Sequence, residues 1–157
     1  MSLEVDARVR PAVLGDAESI WTIRNQPQTR ANSFSEETIE LKDHVAWFSK
    51  KYFAEADNHC FVLVQGSKVI GYTRFDKKDE NIYEVSIAID AAEHGRGRGS
   101  FLLKESVQSF FSAGSRKIIA KIKRTNIASL KLFEKCGFKI NRESEAMFEM
   151  DFSPYLN

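Results

Sequence analysis

The chain holds 157 residues, of which 43% are apolar and 29% charged, a size and composition that suit one domain around a single hydrophobic core. Its 23 basic and 22 acidic side chains leave a formal net charge of +1, so no global field favours nucleic acid or a membrane surface. No apolar run approaches the roughly 20 residues that a bilayer requires, and the N-terminus MSLEVDARVR is polar almost throughout, so a soluble, unexported, cytoplasmic protein is expected.

In chain order, Ala7, Val9 and Pro11 alternate with Arg8 and Arg10, which predicts a short first strand. Asp16 can then cap a helix carrying Ala17, Ile20, Trp21 and Arg24 on one face, and Pro27 stops it. After a loop over 28–36, Leu41, Val45, Phe48 and Tyr52 recur at helical spacing, so a second helix is expected over Glu37 to Phe53. Cys60 to Val64 and Val69 to Phe75 are rich in β-branched and aromatic residues and flank Gln65, Gly66, Ser67 and Lys68, the pattern of a hairpin.

Beyond a polar turn, KKDEN, the strand Ile82 to Ile89 places Tyr83, Val85, Ile87 and Ile89 on one face and Glu84, Ser86 and Ala88 on the other. Leu102, Leu103, Val107, Phe110 and Phe111 predict a third helix from Gly99 to near Gly114. Lys117 to Ile122, within KIIAKIKR, is a strand with one basic, solvated face. A fourth helix over Ile127 to Cys136 stops at Gly137, and Phe138 to Arg142 and Ala146 to Phe152 form a closing antiparallel pair. The order βααβββαβαββ specifies one α+β domain over 1–157, a mixed sheet with helices on its faces. Cys60 and Cys136 lack metal-ligand or C-x-x-C spacing and read as free, buried thiols of a reducing compartment.

The stretch EHGRGRGSFLLKE, Glu93 to Glu105, sets Gly95, Gly97 and Gly99 between Arg96 and Arg98 at a strand-to-helix turn. Unpaired amides at a helix start and the helix dipole favour an anion there, glycine allows close backbone approach, and the arginines add charge, so a pyrophosphate is the natural ligand. The dinucleotide fingerprint would need glycine where Ser100 stands, and no nucleotide triphosphate loop occurs. Taken alone, an unselected Gly/Arg turn explains the pattern equally well.

A second motif changes that balance. His94-Gly95-Arg96-Gly97-Arg98-Gly99 resembles the Q/R-x-x-G-x-G/A loop of the GCN5-related N-acetyltransferase (GNAT) superfamily, except for His94 in the Q/R position, and NIASLKLFEKCGF, Asn126 to Phe138, resembles that family's Asn-led helix ending in E-K-x-G-F. The resemblance covers nearly the whole chain. It implies a mostly antiparallel sheet of about seven strands flanked by four helices, with acetyl coenzyme A as cofactor. It further implies that Ile87, Ala88 and Ile89 hold the pantetheine arm through their backbone, that the amides of Gly95, Arg96, Gly97, Arg98, Gly99 and Ser100 hold the diphosphate, and that Asn126, Ser129 and Phe133 face the cofactor.

Acetyl transfer to an amine needs a neutral nucleophile, a polarised carbonyl and protonation of the departing thiolate. Glu84, on the strand before the cofactor loop, is the candidate general base, and a main-chain amide near Ala88 or Ile89 is expected to polarise the carbonyl. Phe133 stands where many relatives carry a tyrosine acid, so either another group such as Tyr83 or water is the proton donor, or the thiolate leaves without strong assistance.

For the acceptor, IRNQPQTRANSF and HVAWF resemble acetyltransferases of bacterial nucleotide-activated amino-sugar pathways, such as pseudaminic acid synthesis. That resemblance implies that Arg24, Asn25, Arg30, His44, Trp47 and Arg74 bind a nucleotide-linked amino sugar, the arginines on its diphosphate and Trp47 or Phe48 stacked on sugar or base. Competing expectations are a protein N-terminal or lysine acetyltransferase of the ribosomal-protein type, and a non-catalytic acyl-CoA-binding module. The expected partner is a small-molecule amine, without nucleic acid or membrane, and a homodimer stays open. No metal site is expected.

Overall fold

In the computed structural model, which describes residues 7–111 and 116–152, seven strands form one sheet in the order β1-β2-β3-β4-β5-β7-β6. They are β1 (Ala7–Pro11), β2 (His59–Gln65), β3 (Lys68–Asp79), β4 (Ile82–Ile89), β5 (Lys117–Lys123), β6 (Lys139–Glu143) and β7 (Met147–Phe152). Every neighbouring pair is antiparallel except β4 and β5, which run parallel. The helices are α1 (Ala17–Arg24), α2 (Pro27–Ala31), α3 (Leu41–Ser49), α4 (Arg98–Phe111) and α5 (Ile127–Lys135), and a π-helical turn over Lys50–Ala54 prolongs α3. The expected end of the third helix near Gly114 lies outside the described residues.

The element order agrees with the sequence expectation, with three departures. Pro27 does more than end α1: it opens the short α2 at its first position, where its missing N–H has no helical partner to lose. The second expected helix starts at Leu41 instead of Glu37. Ile39 is held there in an extended stretch, its carbonyl accepting from Trp21 Nε1 at 2.6 Å and Asn25 Nδ2 at 2.7 Å while its amide donates to Asn25 Oδ1 at 3.0 Å. Third, β3 runs through Lys77 and Lys78 to Asp79 across a bulge, so the turn moves to Glu80 and to Asn81, whose φ of 62° is left-handed.

Each sheet face carries its own core. On one, Leu102, Leu103, Ser106, Val107 and Phe110 form the buried stripe of α4, and the Phe110 ring stacks on Phe75 at 4.5 Å. Removing a ring so placed costs about 3–5 kcal/mol. On the other, Ile20, Ile23 and Phe48 of α1 and α3 pack against Val62 and Tyr72. Thr73 Oγ1 and Ser106 Oγ, both fully buried, satisfy each other at 2.8 Å and pin α4 to β3. Among the described residues, no helix is long and apolar enough to cross a membrane.

Candidate active site

Only three register pairs join β4 to β5: Ile82 with Lys117, Tyr83 with Ile118, and Glu84 with Ile119. Past Glu84 the two parallel strands splay, β5 continuing along β7 and β4 along β3. The Asp90 amide donates to the Ile70 carbonyl at 2.8 Å, so antiparallel alternation turns the peptide groups of Ala88 and Ser86 toward β3 and those of Val85, Ile87 and Ile89 into the splay. Of the expected backbone contacts, Ile87 therefore faces the splay with both its peptide groups, Ile89 offers its amide while its carbonyl is taken by His94, and Ala88 is turned away. A cleft of about 580 Å³ runs through this opening.

The cofactor loop closes one end of the cleft. Gly95 and Gly97 have φ of +80° and +74° with open space where a Cβ would stand, so glycine is needed there for the backbone, not for room. At Gly99 a Cβ would come within 3.3 Å of Leu132 Cδ2, so the end of that side chain would have to give way slightly. The α4 start leaves its first amides without helical partners. Arg98 Nε and Glu93 Oε1 are buried without hydrogen bonds, 3.7 Å apart. The unpaired amides of the loop and of the α4 start, beside an unpaired strand edge, suit a diphosphate carrying an extended amide-bearing arm, so the residues present fit acetyl-CoA.

Gly95, Gly97, Arg98 and Gly99 line the cleft, as do Asn126, Ser129 and Phe133, whereas Arg96 and Ser100 do not. His94 supplies something its relatives' Q/R position did not suggest, since its Nε2 donates to the Ile89 carbonyl at 2.9 Å and ties the loop back to β4. Asn126 caps α5, accepting from the Ser129 amide at 3.1 Å. Phe133 sits edge-on to Phe138 in the core at 4.9 Å, with one side on the cleft. Tyr83 is packed against Phe110 and does not line the cleft, so geometry does not bring this expected proton donor to the site.

Glu84 stands at the vertex of the splay, its Oε1 lying 3.9 Å from Lys78 Nζ and 3.9 Å from Lys121 Nζ. The basic face of β5 is consequently not merely solvated, because Lys117 meets Asp151, Lys121 meets Glu84 and Lys123 meets Glu36. Lys123 Nζ also donates to the Ala31 carbonyl at 2.9 Å, drawing the 31–36 segment across the cleft as a roof.

The far end is lined by Arg24, Arg30, Tyr72, Arg74 and Ser86. Tyr72 and Arg74 face the same way on β3, opposite Ala88 and Ser86 of β4. Arg74 donates to Asp76 Oδ2 at 3.2 Å, and Asp76 also accepts from Tyr52 Oη at 2.6 Å and approaches Lys51 at 3.5 Å. Burial pulls the Arg74 pKa down, but Tyr52 and Asp76 outweigh it and leave it raised. Arg24 has no carboxylate within 4.0 Å among the described residues; it stacks on Trp47 at 4.4 Å, and burial followed by repulsion from Arg74 lowers its pKa. The remaining acceptor candidates serve the scaffold: Asn25 holds Ile39, Arg30 donates to the Asn25 and Glu36 carbonyls, and Asn25, His44 and Trp47 do not line the cleft. Sequence reasoning missed Tyr72, Lys121 and Lys123, which become site-related through pairing across the sheet, and Gln26, which does so through its hydrogen bonds to Asp90 and Ala91.

Comparison with known proteins agrees with this geometry. The model of the Acetyltransferase (GNAT) family matches residues 18–138. The chain is 32% identical over 148 residues, covering 89% of it and 88% of the relative, to the protein named "Putative phosphinothricin acetyltransferase YwnH" of Bacillus subtilis (strain 168). Its fold is similar to that of an N-acetyltransferase of Staphylococcus aureus Mu50, with TM-score 0.77 and 24% identity over 94% of this chain and 96% of that one. It is likewise similar to yncA of Salmonella typhimurium, solved with its cofactor acetyl-CoA, with TM-score 0.79 and 19% identity over 94% of each. The splayed strands, the glycine-rich loop and the matching family model make this chain a member of the GNAT acetyltransferase family, an acetyl-CoA-dependent N-acetyltransferase.

Proposed function

We propose that the enzyme acetylates the primary amine of a small acceptor that also carries an acid group, an amino acid of the phosphinothricin kind. The observation that carries this reading is the guanidinium of Arg24, desolvated beside Arg74, without a carboxylate of its own, and open to the cleft. A partly buried cation without an anionic partner is left under-solvated, and a substrate acid group supplies the partner through charge-assisted hydrogen bonds. The naming of a relative as a phosphinothricin acetyltransferase supports the same chemistry.

The nucleotide-sugar acceptor expected from sequence has less behind it. Arg30, counted among three arginines for a diphosphate, already donates to two loop carbonyls. Arg24 and Arg74 remain, enough for one compact acid group.

Acetyl-CoA, when bound, supplies the acetyl group activated as a thioester. The amides of Gly95, Gly97, Arg98 and Gly99 would hold its diphosphate, and Ile87 and Ile89 its pantetheine arm. Arg24 and Arg74 seat the acceptor's acid group, and the 31–36 roof limits water. Glu84, at the vertex between the two ends, takes directly or through a water the proton that the acceptor ammonium loses. Attack by the neutral amine would form the C–N bond as the C–S bond breaks, with the nitrogen's second proton passing to the departing thiolate, directly or through water, because α5 carries Phe133 and no tyrosine there.

The test is CoA release with phosphinothricin, L-glutamate, a UDP-linked 4-amino sugar and an N-terminal peptide as acceptors. Turnover of the acidic amino acids and not of sugar or peptide supports the reading. Turnover confined to the sugar or the peptide rejects it, and saturable acetyl-CoA binding without turnover of any amine points to a binding module.

A further inference from the structure

We propose that His44 is a positioning residue that sets the enzyme's preference for anionic acceptors: its neutral ring accepts a hydrogen bond from Arg24 and aims that guanidinium, with its charge uncancelled, into the cleft. This rests on the acceptor reading above. His44 lies on α3, fully buried, and its Nδ1 is 3.3 Å from Arg24 Nη1. Guanidinium has donors only, so Nδ1 must be the acceptor and the proton must sit on Nε2. Nε2 is buried with no partner in good hydrogen-bond geometry, and the Ala17 carbonyl acts on the same ring.

The surroundings fix both ring and charge state. His44 stacks on Phe48 at 5.9 Å and tilts against Trp47 at 5.5 Å, and the same Trp47 ring carries Arg24 at 4.4 Å and Arg74 at 5.2 Å. Burial first, then Arg24, holds the His44 pKa down at about 4, and the Ala17 carbonyl opposes this only in part. An imidazolium would turn an N–H toward a guanidinium, which like charge forbids.

The choice of a neutral acceptor has a consequence for specificity. A carboxylate at position 44 would orient Arg24 equally well but cancel its charge, as Asp76 does in part for Arg74 and Lys51. An apolar residue would leave a partly buried guanidinium N–H unpaired. Histidine orients without neutralising, which leaves the cleft end positive for a substrate acid.

The experiment is a double-mutant cycle on the full chain with phosphinothricin, together with 15N NMR of the His44 ring. His44→Phe, which keeps an aromatic side chain against Phe48, raises KM for phosphinothricin about 10- to 100-fold while KM for acetyl-CoA stays within about twofold. His44→Asn, whose Oδ1 replaces the lost acceptor, recovers part of the loss. Arg24→Gln with His44→Phe is no worse than Arg24→Gln alone. The wild-type ring shows Nδ1 unprotonated and Nε2 protonated at pH 7. Additive losses, a parallel rise in KM for acetyl-CoA, or a proton on Nδ1 overturns the assignment. Failure of wild type to acetylate phosphinothricin overturns the acceptor reading, and the ring tautomer then decides the orienting role by itself.

Discussion

Gln26 and Asp90, 64 positions apart, are joined by a hydrogen bond of 3.1 Å from Gln26 Nε2 to Asp90 Oδ1. The same amide accepts from the Ala91 amide at 2.9 Å, and Asp90 Oδ1 in turn accepts from the Ala92 amide at 3.1 Å. Gln26 thus fastens the corner between α1 and α2, the start of the acceptor wall, to the segment that leads into the cofactor loop. Replacing Gln26 with Ala is expected to weaken acetyl-CoA binding about tenfold by calorimetry, from the loss of one neutral and one charge-assisted hydrogen bond. Gln26→Glu, which sets a second carboxylate against Asp90, is expected to be worse. Unchanged affinity in both would remove Gln26 from the account.

Glu84→Gln is expected to lower kcat/KM by about 10²- to 10⁴-fold while acetyl-CoA binding stays near wild type. Steady-state kinetics beside calorimetry check both halves. Full turnover would assign proton removal to another group.

Much of this site was legible before the fold was known. The glycine-rich turn and the Asn-led helix signalled the cofactor, and strand alternation put Glu84 with Ser86 and Ala88. Alternation also contained a limit that becomes visible only with the β3 register, since it assigns the Ala88 peptide to β3 and leaves Ile87 and Ile89 for the splay. The acceptor end was less legible. Arg24, Arg74 and His44 were recognisable as chemistry-bearing residues, and strand alternation puts Asp76 on the same face as Arg74, but nothing local reveals that Arg24 meets an imidazole 20 positions away. The non-helical 37–40 segment was lost to helical periodicity because long-range hydrogen bonds from Asn25 and Trp21 override it.

Gly71 is a second place where sheet and site share one constraint. A Cβ there would stand 2.6 Å from Ile89 Cδ1, 3.1 Å from the Ala88 carbonyl and 3.2 Å from Leu102 Cδ2. Gly71→Ala is therefore expected to cost about 1–3 kcal/mol of stability in urea titration. Acetyl-CoA affinity should also fall, since Ile89 must move. A variant as stable as wild type would show that the neighbours yield freely.

Neutral His44 also predicts how stability depends on pH. Folded, its pKa is held at about 4 by burial and then by Arg24, whereas the unfolded chain titrates near 6.5. Between these values the unfolded state binds the extra proton, so the contribution is complete above pH 6.5 and is lost as pH falls toward 4. The slope reaches at most about 1.4 kcal/mol per pH unit. His59, lowered by burial and then by Arg116, adds the same trend, so the comparison with His44→Phe isolates one ring. Urea titrations at pH 7.5, 6 and 5 should show a flatter profile for the variant, and parallel profiles would contradict the assigned charge state.

The most direct test of the acceptor seat is a crystal structure of the enzyme with CoA and phosphinothricin. The account predicts an acid group of the ligand within hydrogen-bond distance of both Arg24 and Arg74, and its amine within reach of Glu84 directly or through one water. A ligand bound with its acid groups in solvent and both guanidiniums unengaged would contradict it.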